Sequence, residues 1–199
     1  MAKFRPVSKE KIILASASPR RRELLAEMGI QFEVVTADVC ELDSISSPQL
    51  TPGDLAWENA RLKAKAVGVV RPGRWVLGAD TVVALGNRVL GKPTSTDQAK
   101  EFLRFLSGRT HEVITGCALI NPDGEEIQFR VSSNVIFHSL TDATIELYLR
   151  EVHVLDKAGA YALQERGEWI IERVEGSRTN VIGLPTEKLE SVLKSRGLL

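Results

Sequence analysis

The sequence predicts an α/β fold with a mixed β-sheet, because apolar strands alternate with capped helices and two hairpins interrupt that alternation. Apolar runs at residues 11–16, 32–36 and 75–84 are typical of buried strands. Gly-Asn at residues 86–87 and Asn-Pro-Asp-Gly at residues 121–124 predict tight turns between antiparallel strands. Strands joined by helices commonly pair in parallel, whereas hairpin strands pair antiparallel, so both kinds of pairing are expected in one sheet.

The predicted helices begin at residues that favour the N-cap position. Ser-Pro at 18–19 and Thr-Pro at 51–52 place proline directly after a hydroxyl cap, and Ser95 with Gln98 matches a capping box. The polar stretch 42–53 is expected to be a loop with little that packs. The remaining pattern assigns helices to 18–29, 51–69, 95–108, 141–150 and 186–195, and strands to 88–90, 111–120, 125–137 and 169–174.

The composition is that of an ordinary globular chain. Its 199 residues include 26 basic and 26 acidic residues, which predicts a single domain over residues 1–199 and argues against a partner that is a nucleic-acid polymer. Residues 1–11 lack the apolar core of a signal peptide, and no run approaches the roughly 20 apolar residues of a membrane span. A soluble, cytoplasmic protein with no membrane partner is therefore expected. Cys40 and Cys117 form no CxxC pair and are expected to be free, buried thiols.

Three consecutive arginines, Arg20, Arg21 and Arg22, occupy the first turn of the first predicted helix. The helix dipole disfavours cations there, so the arrangement makes sense if an anion binds the free backbone N–H groups, the guanidinium groups, and the hydroxyls of Ser16 and Ser18. The alternative is three solvated arginines on an exposed helix end. The P-loop and G-x-G-x-x-G patterns are both absent from the sequence, so a phosphate site here is neither a P-loop nor a Rossmann site.

Asp80 lies in an apolar strand, where aspartate is uncommon. A buried carboxylate needs a partner or a metal, and it can hold Mg²⁺ or Mn²⁺ or take a proton from water. A turn or cap aspartate is the alternative. Asp38, Glu41 and Asp43 follow the second predicted strand. One of these acids could complete a metal site, although acidic loop residues are usually solvated.

Three lysines are candidates for phosphate contacts. Lys63 and Lys65 lie on the second predicted helix, and Lys92 lies in a Gly-Lys-Pro turn from which it can reach a phosphate as a point charge. Any one lysine is more often a surface residue. His111 and His153 have no partner at ligand spacing, so no zinc site is expected and His111 is interpreted as structural.

Seven short motifs occur along the chain. They are LASASPRR at 14–21, KAKAV at 63–67, GADT at 78–81, LGKP at 90–93, LSGR at 106–109, DKAGAY at 156–161 and GLP at 183–185. Taken together and in this order, they resemble the Maf family of nucleoside triphosphate pyrophosphatases. The resemblance covers the chain from about residue 11 to residue 193.

This resemblance implies a fold similar to the inosine-triphosphatase group, with a mixed, elongated sheet flanked by helices around a central cleft. It implies attack of water at the α-phosphorus, release of pyrophosphate, a divalent cation (Mg²⁺ or Mn²⁺) as cofactor, and usually a homodimer. Asp80 would be the general base or a metal-linked carboxylate, and Glu41 would help to hold the metal. The residues implied for the triphosphate are Ser16, Arg20, Arg21, Lys63 and Lys92. The residues implied for nucleotide choice are Arg20, Thr81 and Gln164.

Residues 158–164 resemble the subfamily that acts on dTTP and UTP, whereas the subfamily that acts on 7-methyl-GTP usually carries a different sequence there. The chain departs from the family pattern directly after Gln164, where the family commonly has glycine and this chain has Glu165 and Arg166 before Gly167. The loop is therefore expected to differ at this point. Two alternatives stay open: a pyrophosphatase for modified or methylated nucleotides, and a nucleotide-binding regulator of cell division, which would need the arginines but not Asp80.

Overall fold

The computed structural model describes residues 11–199. The expected lack of a signal peptide concerns residues 1–11, of which only the last lies inside the described part. The prediction of one domain over residues 1–199 also includes the first ten residues and stays a prediction.

One seven-stranded mixed sheet forms the centre of the described chain. The strands are β1 (Ile12–Ala15), β2 (Phe32–Val34), β3 (Val76–Leu85), β4 (Arg88–Leu90), β5 (Thr110–Ile120), β6 (Glu126–Phe137) and β7 (Ile171–Glu175). Their order is β2-β1-β3-β5-β6-β7, with β4 paired to β3. Strand β1 runs parallel to both of its neighbours, and the other pairs are antiparallel. The predicted mixture of pairings is thus confirmed.

Six helices accompany the sheet in the described part of the chain. They are α1 (Pro19–Glu27), α2 (Pro52–Val70), α3 (Thr96–Leu106), α4 (Asp142–Glu151), α5 (Arg178–Ile182) and α6 (Thr186–Ser195). The side chains of Thr51 and Ser95 cap α2 and α3 as predicted, whereas Ser18 stands at the N-cap of α1 without a side-chain cap bond. Within residues 11–199, no helix is both long enough and apolar enough to cross a membrane.

Two differences from the predicted elements occur near the C-terminal end. The last strand begins at Ile171 rather than at residue 169, because Gly167–Trp169 form a short 3₁₀ turn. Helix α5 is not predicted by the sequence pattern. Its five residues are too few to show the apolar period of a helix, although its N-cap, Ser177, accepts a hydrogen bond from the N–H of Asn180.

The polar stretch 42–53 packs better than predicted. Leu42 and Leu50 contact the small apolar cluster around Val82, and Ser47 is buried. The last two residues of the stretch belong to α2. Isolated apolar residues in a polar segment carry no periodic signal, which is why the sequence pattern does not predict their packing.

Strand β3 has one edge that is only partly paired. Along one edge, β5 pairs with β3 from Val76 to Ala84. Along the other edge, β1 pairs with residues 76–78 and β4 pairs with residues 83–85. Within residues 11–199, no strand pairs with residues 79–82 on that edge. Asp80 and Thr81 lie in this gap, and because they are consecutive in a strand their side chains leave opposite faces of the sheet.

Helix α2 packs closely against the sheet because two glycines face it. A Cβ atom on Gly78 would lie 2.2 Å from the carbonyl oxygen of Ala60, and one on Gly116 would lie 2.6 Å from backbone atoms of Ala56. Gly116 stands directly opposite Asp80 in the β3–β5 pairing. The absence of these two side chains lets α2 bring its own polar side chains to the level of Asp80.

Candidate active site

A cleft of about 440 Å³ opens beside the gap in β3. Five cationic and three acidic side chains line it, so it carries an excess of positive charge that suits a polyanionic ligand. All nine site residues that the family resemblance implies line this cleft: Ser16, Arg20, Arg21, Glu41, Lys63, Asp80, Thr81, Lys92 and Gln164.

Asp80, Lys63 and Glu41 form a hydrogen-bonded chain in the cleft. Lys63 Nζ lies 2.6 Å from Asp80 Oδ1 and 2.9 Å from Glu41 Oε1. Asp80 and Lys63 are both buried, so salt screens their attraction weakly. Burial opposes the ionisation of Glu41, but the charge and hydrogen bond of Lys63, with smaller help from Lys92 and Arg21, hold the pKa of Glu41 below its ordinary value. Glu41 is therefore anionic at neutral pH.

Asn59 belongs to the site, although the sequence pattern does not single it out. Its Nδ2 donates to the carbonyl oxygen of Leu42 at 2.9 Å, and its Oδ1 accepts from the N–H of Leu42 at 2.8 Å. The same Nδ2 lies 3.5 Å from Asp80 Oδ2. Since Leu42 directly follows Glu41, Asn59 fixes the backbone beside Glu41 and links it to Asp80. An asparagine within a helix gives no sequence signal that its amide is buried.

Arg21 is buried, and its guanidinium group donates to three protein acceptors. Nε donates to the carbonyl oxygen of Gly183 at 2.9 Å, and the two terminal nitrogens donate to Ser16 Oγ at 3.2 Å and Thr81 Oγ1 at 2.9 Å. Burial lowers the pKa of Arg21, with the charge of Asp80 as the chief opposing influence, and the group stays protonated. Arg21 thus orients Ser16 and Thr81 in addition to contributing positive charge.

The other two arginines of the triplet differ from Arg21. Arg20 lines the cleft, and one of its terminal nitrogens lies 3.2 Å from Asp156 Oδ2. Arg22 is exposed and does not line the cleft. The prediction that all three arginines converge on an anion is therefore wrong for Arg22, because its position on α1 faces away from the cleft.

Ser16 and Lys92 present polar groups from two further segments. Ser16 Oγ accepts from the N–H of Ser18 at 3.2 Å, so its hydroxyl lies at the start of α1, where free backbone N–H groups favour anions. Lys92 lies in the segment that follows β4, is exposed, and lines the cleft. The Gly91 carbonyl of this segment accepts from the N–H of Gly159 at 3.1 Å, which ties it to residues 158–160.

Thr81 connects the cleft to the short helix α5. Thr115 Oγ1 donates to the carbonyl oxygen of Asn180 at 3.0 Å, so the 3.0 Å contact between the two threonine hydroxyls has Thr81 as donor. Asn180 is fully buried. Its amide donates to the carbonyl oxygen of Val113 and to Ser133 Oγ, both at 2.9 Å, and its Oδ1 accepts from the N–H of Thr115. Helix α5 therefore fixes the rotamer of Thr81 through buried hydrogen bonds.

Lys157 also lines the cleft and is 5% exposed. Its ammonium donates to the carbonyl oxygen of His153 and to Asp156 Oδ1 at 3.0 Å, and it forms an ion pair with Glu165, whose Oε1 lies 3.2 Å away. Spacing alone could not reveal this set, because its members meet only through the turns between residues 153 and 165. Gln164, which precedes Glu165, is exposed at the cleft.

Three other candidates lie outside the cleft lining. Asp38 and Asp43 are exposed, and Asp43 Oδ1 accepts from the backbone N–H groups of Ile45 and Ser46 in a local turn. Lys65 pairs with Glu126 at 2.6 Å. The alternatives of a solvated acid and a surface lysine hold for these residues.

The histidine and cysteine predictions have mixed outcomes. His111 is buried, and its Nε2 lies 2.7 Å from Tyr161 Oη, which confirms a structural role. Both cysteines are free, as predicted, but only Cys117 is buried; Cys40 is exposed. Burial raises the pKa of the Cys117 thiol to about 12, so this thiol is neutral and unreactive. Cys40 lies in the irregular segment between β2 and α2, whereas Cys117 lies in the central strand β5.

The acids of the cleft suit a hard divalent ion only in part. Among residues 11–199, no group of three or more His, Cys, Asp or Glu side chains is placed to hold a metal ion. Glu41 and Asp80 contact the same ammonium group, so the chain offers two carboxylates at one place. Mg²⁺ commonly uses one or two carboxylates together with water and phosphate oxygens, and this donor set fits such an ion if a bound polyphosphate supplies further oxygens.

The sheet and cleft define an α/β fold of the kind found in Ham1 proteins. The Staphylococcus aureus Ham1 protein aligns with a TM-score of 0.55 at 18% identity, covering 94% of this chain and 100% of that chain. A HAM1 protein from Coxiella burnetii aligns with a TM-score of 0.51 at 17% identity, covering 94% and 99%. These likenesses confirm the predicted fold class.

The chain belongs to the Maf-like protein family, whose family model matches residues 11–196. A dTTP/UTP pyrophosphatase from Akkermansia muciniphila is 46% identical, with 94% of this chain and 96% of the relative covered. Proteins of the same name from Myxococcus xanthus and Deinococcus radiodurans are 44% and 43% identical, with 94% of this chain and 93% and 94% of the relatives covered. The predicted family is confirmed.

Proposed function

We propose that this protein hydrolyses nucleoside triphosphates, with dTTP and UTP preferred, to the nucleoside monophosphate and pyrophosphate. The observation that carries this proposal is the Asp80–Lys63–Glu41 chain inside a positively charged cleft. The names of the similar proteins support the same reaction and the same two substrates.

In the proposed reaction, water attacks the α-phosphorus of the nucleotide. A new oxygen–phosphorus bond forms, the bond from the α-phosphorus to the bridging oxygen breaks, and pyrophosphate leaves. Asp80 orients the water and accepts its proton, since it is the buried carboxylate of the cleft and lies in the strand gap. Lys63, 2.6 Å from Asp80, keeps that carboxylate in place.

The phosphates are proposed to bind Ser16, Arg20, Arg21, Lys63 and Lys92. Support comes from their common position along the cleft and from Ser16 Oγ, which lies at the start of α1, where helix N–H groups favour anions. Charge on the phosphate oxygens grows as the leaving group departs, and fixed cations stabilise it more than mobile water does.

A divalent cation, Mg²⁺ or Mn²⁺, is proposed to be held by Asp80 and Glu41 together with phosphate oxygens, and when bound it withdraws electron density from the phosphate. Asn59 supports this role of Glu41, because it fixes the backbone of Leu42 and reaches Asp80. The preference for dTTP and UTP is assigned to Arg20, Thr81 and Gln164, which border the cleft.

The test is pyrophosphate release from dTTP, UTP, CTP, 7-methyl-GTP, modified pyrimidine triphosphates and the standard purines, with Mg²⁺, with Mn²⁺ and with chelator. Metal-dependent turnover led by dTTP and UTP is expected. Turnover led by another nucleotide would keep the reaction and overturn the base preference. Folded protein that binds nucleotides and releases no pyrophosphate would favour the regulator alternative.

A homodimer and a cytoplasmic location stay predictions from the sequence. Sedimentation checks the first, and localising the protein in its cell checks the second.

A further inference from the structure

A chain of ion pairs joins Arg20 to the segment that carries Gln164. Arg20 donates to Asp156 Oδ2 at 3.2 Å, and the second oxygen of the same carboxylate accepts from Lys157 Nζ at 3.0 Å. Lys157 Nζ in turn lies 3.2 Å from Glu165 Oε1. Glu165 is the residue directly after Gln164, so the chain connects two parts of the cleft that are remote in sequence.

Lys157 is the rigid centre of this chain. Its ammonium group donates to the His153 carbonyl and to Asp156, and the Glu165 carboxylate lies 3.2 Å away as a second counter-charge. The side chain is only 6% exposed. Removing the negative charge of Glu165 would leave this buried ammonium with one counter-charge fewer, which is unfavourable. Glu165 therefore helps to neutralise a buried charge, which a glutamate without an ion pair would not do.

The Asp156 carboxylate is shared by two cations, Arg20 and Lys157. Burial opposes its ionisation, but the hydrogen bonds and charges of Lys157 and Arg20 together hold the pKa of Asp156 below its ordinary value. The carboxylate thus stays anionic at neutral pH and holds Arg20 and Lys157 at the same time.

The turn after Glu165 is fixed on its other side as well. Arg166 has a φ of +52°, which is uncommon for a residue other than glycine and persists only where the surroundings hold it. Its guanidinium lies 5.2 Å from the ring centre of Trp169 and 4.0 Å from Glu151 Oε2. Gln164, in contrast, is exposed at the cleft, so its amide is available to a ligand while the residues after it are held.

We propose that Glu165 is a positioning residue which, through Lys157 and Asp156, holds Gln164 and Arg20 in one mutual arrangement and so sets the base preference of the cleft. This inference rests on the proposed function, because it gives the same cleft its means of choosing a nucleotide. Glu165 is not among the residues that line the cleft, so it acts through its neighbours and does not contact the nucleotide.

The experiment measures the dissociation constants of the α,β-methylene analogues of dTTP and dCTP, with Mg²⁺, for the parent protein and three variants. In E165Q, the preference for the dTTP analogue is expected to fall roughly fivefold, within the range seen for residues coupled in one network. E165D, which keeps the carboxylate, is expected to retain most of the preference. E168Q removes a nearby exposed acid that forms no ion pair within residues 11–199 and is expected to change nothing.

A double-mutant cycle with D156N tests the route of the effect. Because D156N leaves a single acceptor oxygen, which cannot serve both Arg20 and Lys157, it already breaks the chain, and adding E165Q is expected to change the preference no further. A merely structural role would weaken both analogues alike and would add in the double variant. An unchanged preference in E165Q, an additive double variant, or a parent with no preference between the analogues would overturn the positioning role.

Pyrophosphate release by the parent, measured on dTTP, separates this inference from the proposed function. A parent that hydrolyses dTTP while E165Q keeps its preference overturns the role of Glu165 alone. A parent that prefers the dTTP analogue, responds to E165Q as expected and releases no pyrophosphate overturns the reaction alone. A parent that binds neither analogue overturns both.

Discussion

The cleft has two walls, and different interactions hold each of them in place. The helix wall, formed by α2 and β3, places Lys63 and Asp80 on regular elements whose backbones pack closely at Gly78 and Gly116. The turn wall, formed by residues 153–167, has little regular structure and is held by the ion pairs of Lys157 with its neighbours.

This structural difference predicts that the two walls have different functions. Side chains on a helix and a central strand are held with little freedom, which suits proton transfer that depends on distances of a few tenths of an ångström. Turns held by side-chain contacts can change sequence without disturbing the sheet, which suits the choice among similar nucleotides. Changes at Asp80 and Lys63 in the helix wall are therefore expected to lower the rate, and changes in the turn wall to alter the preference.

The largest effect is expected from Asp80→Asn. This substitution keeps the size and burial of the side chain but removes the group proposed to accept a proton, so kcat on dTTP should fall roughly 10²- to 10⁴-fold. The fold and nucleotide binding should be retained. The matched control is Asp97→Asn, at an exposed acid of α3 that does not line the cleft. If Asp80→Asn hydrolysed dTTP at the parental rate, the proposed role of Asp80 as proton acceptor would be wrong.

Gly78→Ala tests whether the close approach of α2 matters. The added Cβ would meet the Ala60 carbonyl oxygen at 2.2 Å and the Ala64 nitrogen at 2.8 Å, so the helix must shift. We expect a loss of about 1–3 kcal/mol in unfolding free energy. Because Lys63 lies between the two alanines, activity should fall further than the lost stability explains.

Gly68→Ala is the matched control for this shift, since Gly68 also lies on α2. Its added Cβ would meet nothing nearer than Ile120 Cδ1 at 3.9 Å. Urea unfolding should show unchanged or slightly raised stability, by at most about 1 kcal/mol. Equal losses in the two variants would mean that the packing at Gly78 has no special importance.

The helix wall could largely be predicted from the sequence. Asp80 is conspicuous because its strand is otherwise apolar, and the strand itself follows from residue pattern alone. The resemblance then connected Asp80 with Lys63 and Glu41. What sequence could not supply is the gap in the edge of β3, since that depends on where β1 ends and where β4 begins to pair.

The supporting residues could not be predicted, because their partners are distant in the chain. Asn59 bonds to a backbone group 17 residues away, and Asn180 bonds to one 67 residues away. Asparagine is a common loop and cap residue, so neither position stands out. The role of Glu165 could not be predicted for the same reason. The departure from the family pattern is visible in the sequence, but the ion pair of Glu165 with Lys157 is visible only in the structure.

Asn59→Ala should weaken the helix wall without breaking it. Loss of the amide frees the backbone beside Glu41, and loss of such supporting contacts typically lowers metal affinity or activity about 10- to 100-fold. The measurement is the Mg²⁺ concentration that gives half-maximal pyrophosphate release, which should rise. Asn87→Ala, at an exposed turn position, provides the control. A lower rate with an unchanged metal midpoint would assign Asn59 to Asp80 rather than to Glu41.

The smallest effect concerns the turn wall and its support by His111. His111 lies edge-on to the rings of Phe137 and Tyr161 and lies 2.7 Å from the Tyr161 hydroxyl, and Tyr161 lines the cleft. Burial lowers the pKa of His111 from 6.5 to about 4. The folded protein therefore keeps this histidine neutral where the unfolded chain binds a proton, so stability is full above about pH 6.5 and is lost as the pH falls towards 4. Between pH 7 and pH 5.5 this one group should account for about 1 kcal/mol of lost stability.

Urea unfolding of the parent and of His111→Phe measures this loss. The variant should be less stable at pH 7, because the Tyr161 hydroxyl loses its partner, yet its stability should change less with pH. Parallel pH curves for the two proteins would show that His111 does not titrate on unfolding and that the turn wall has no such dependence on pH.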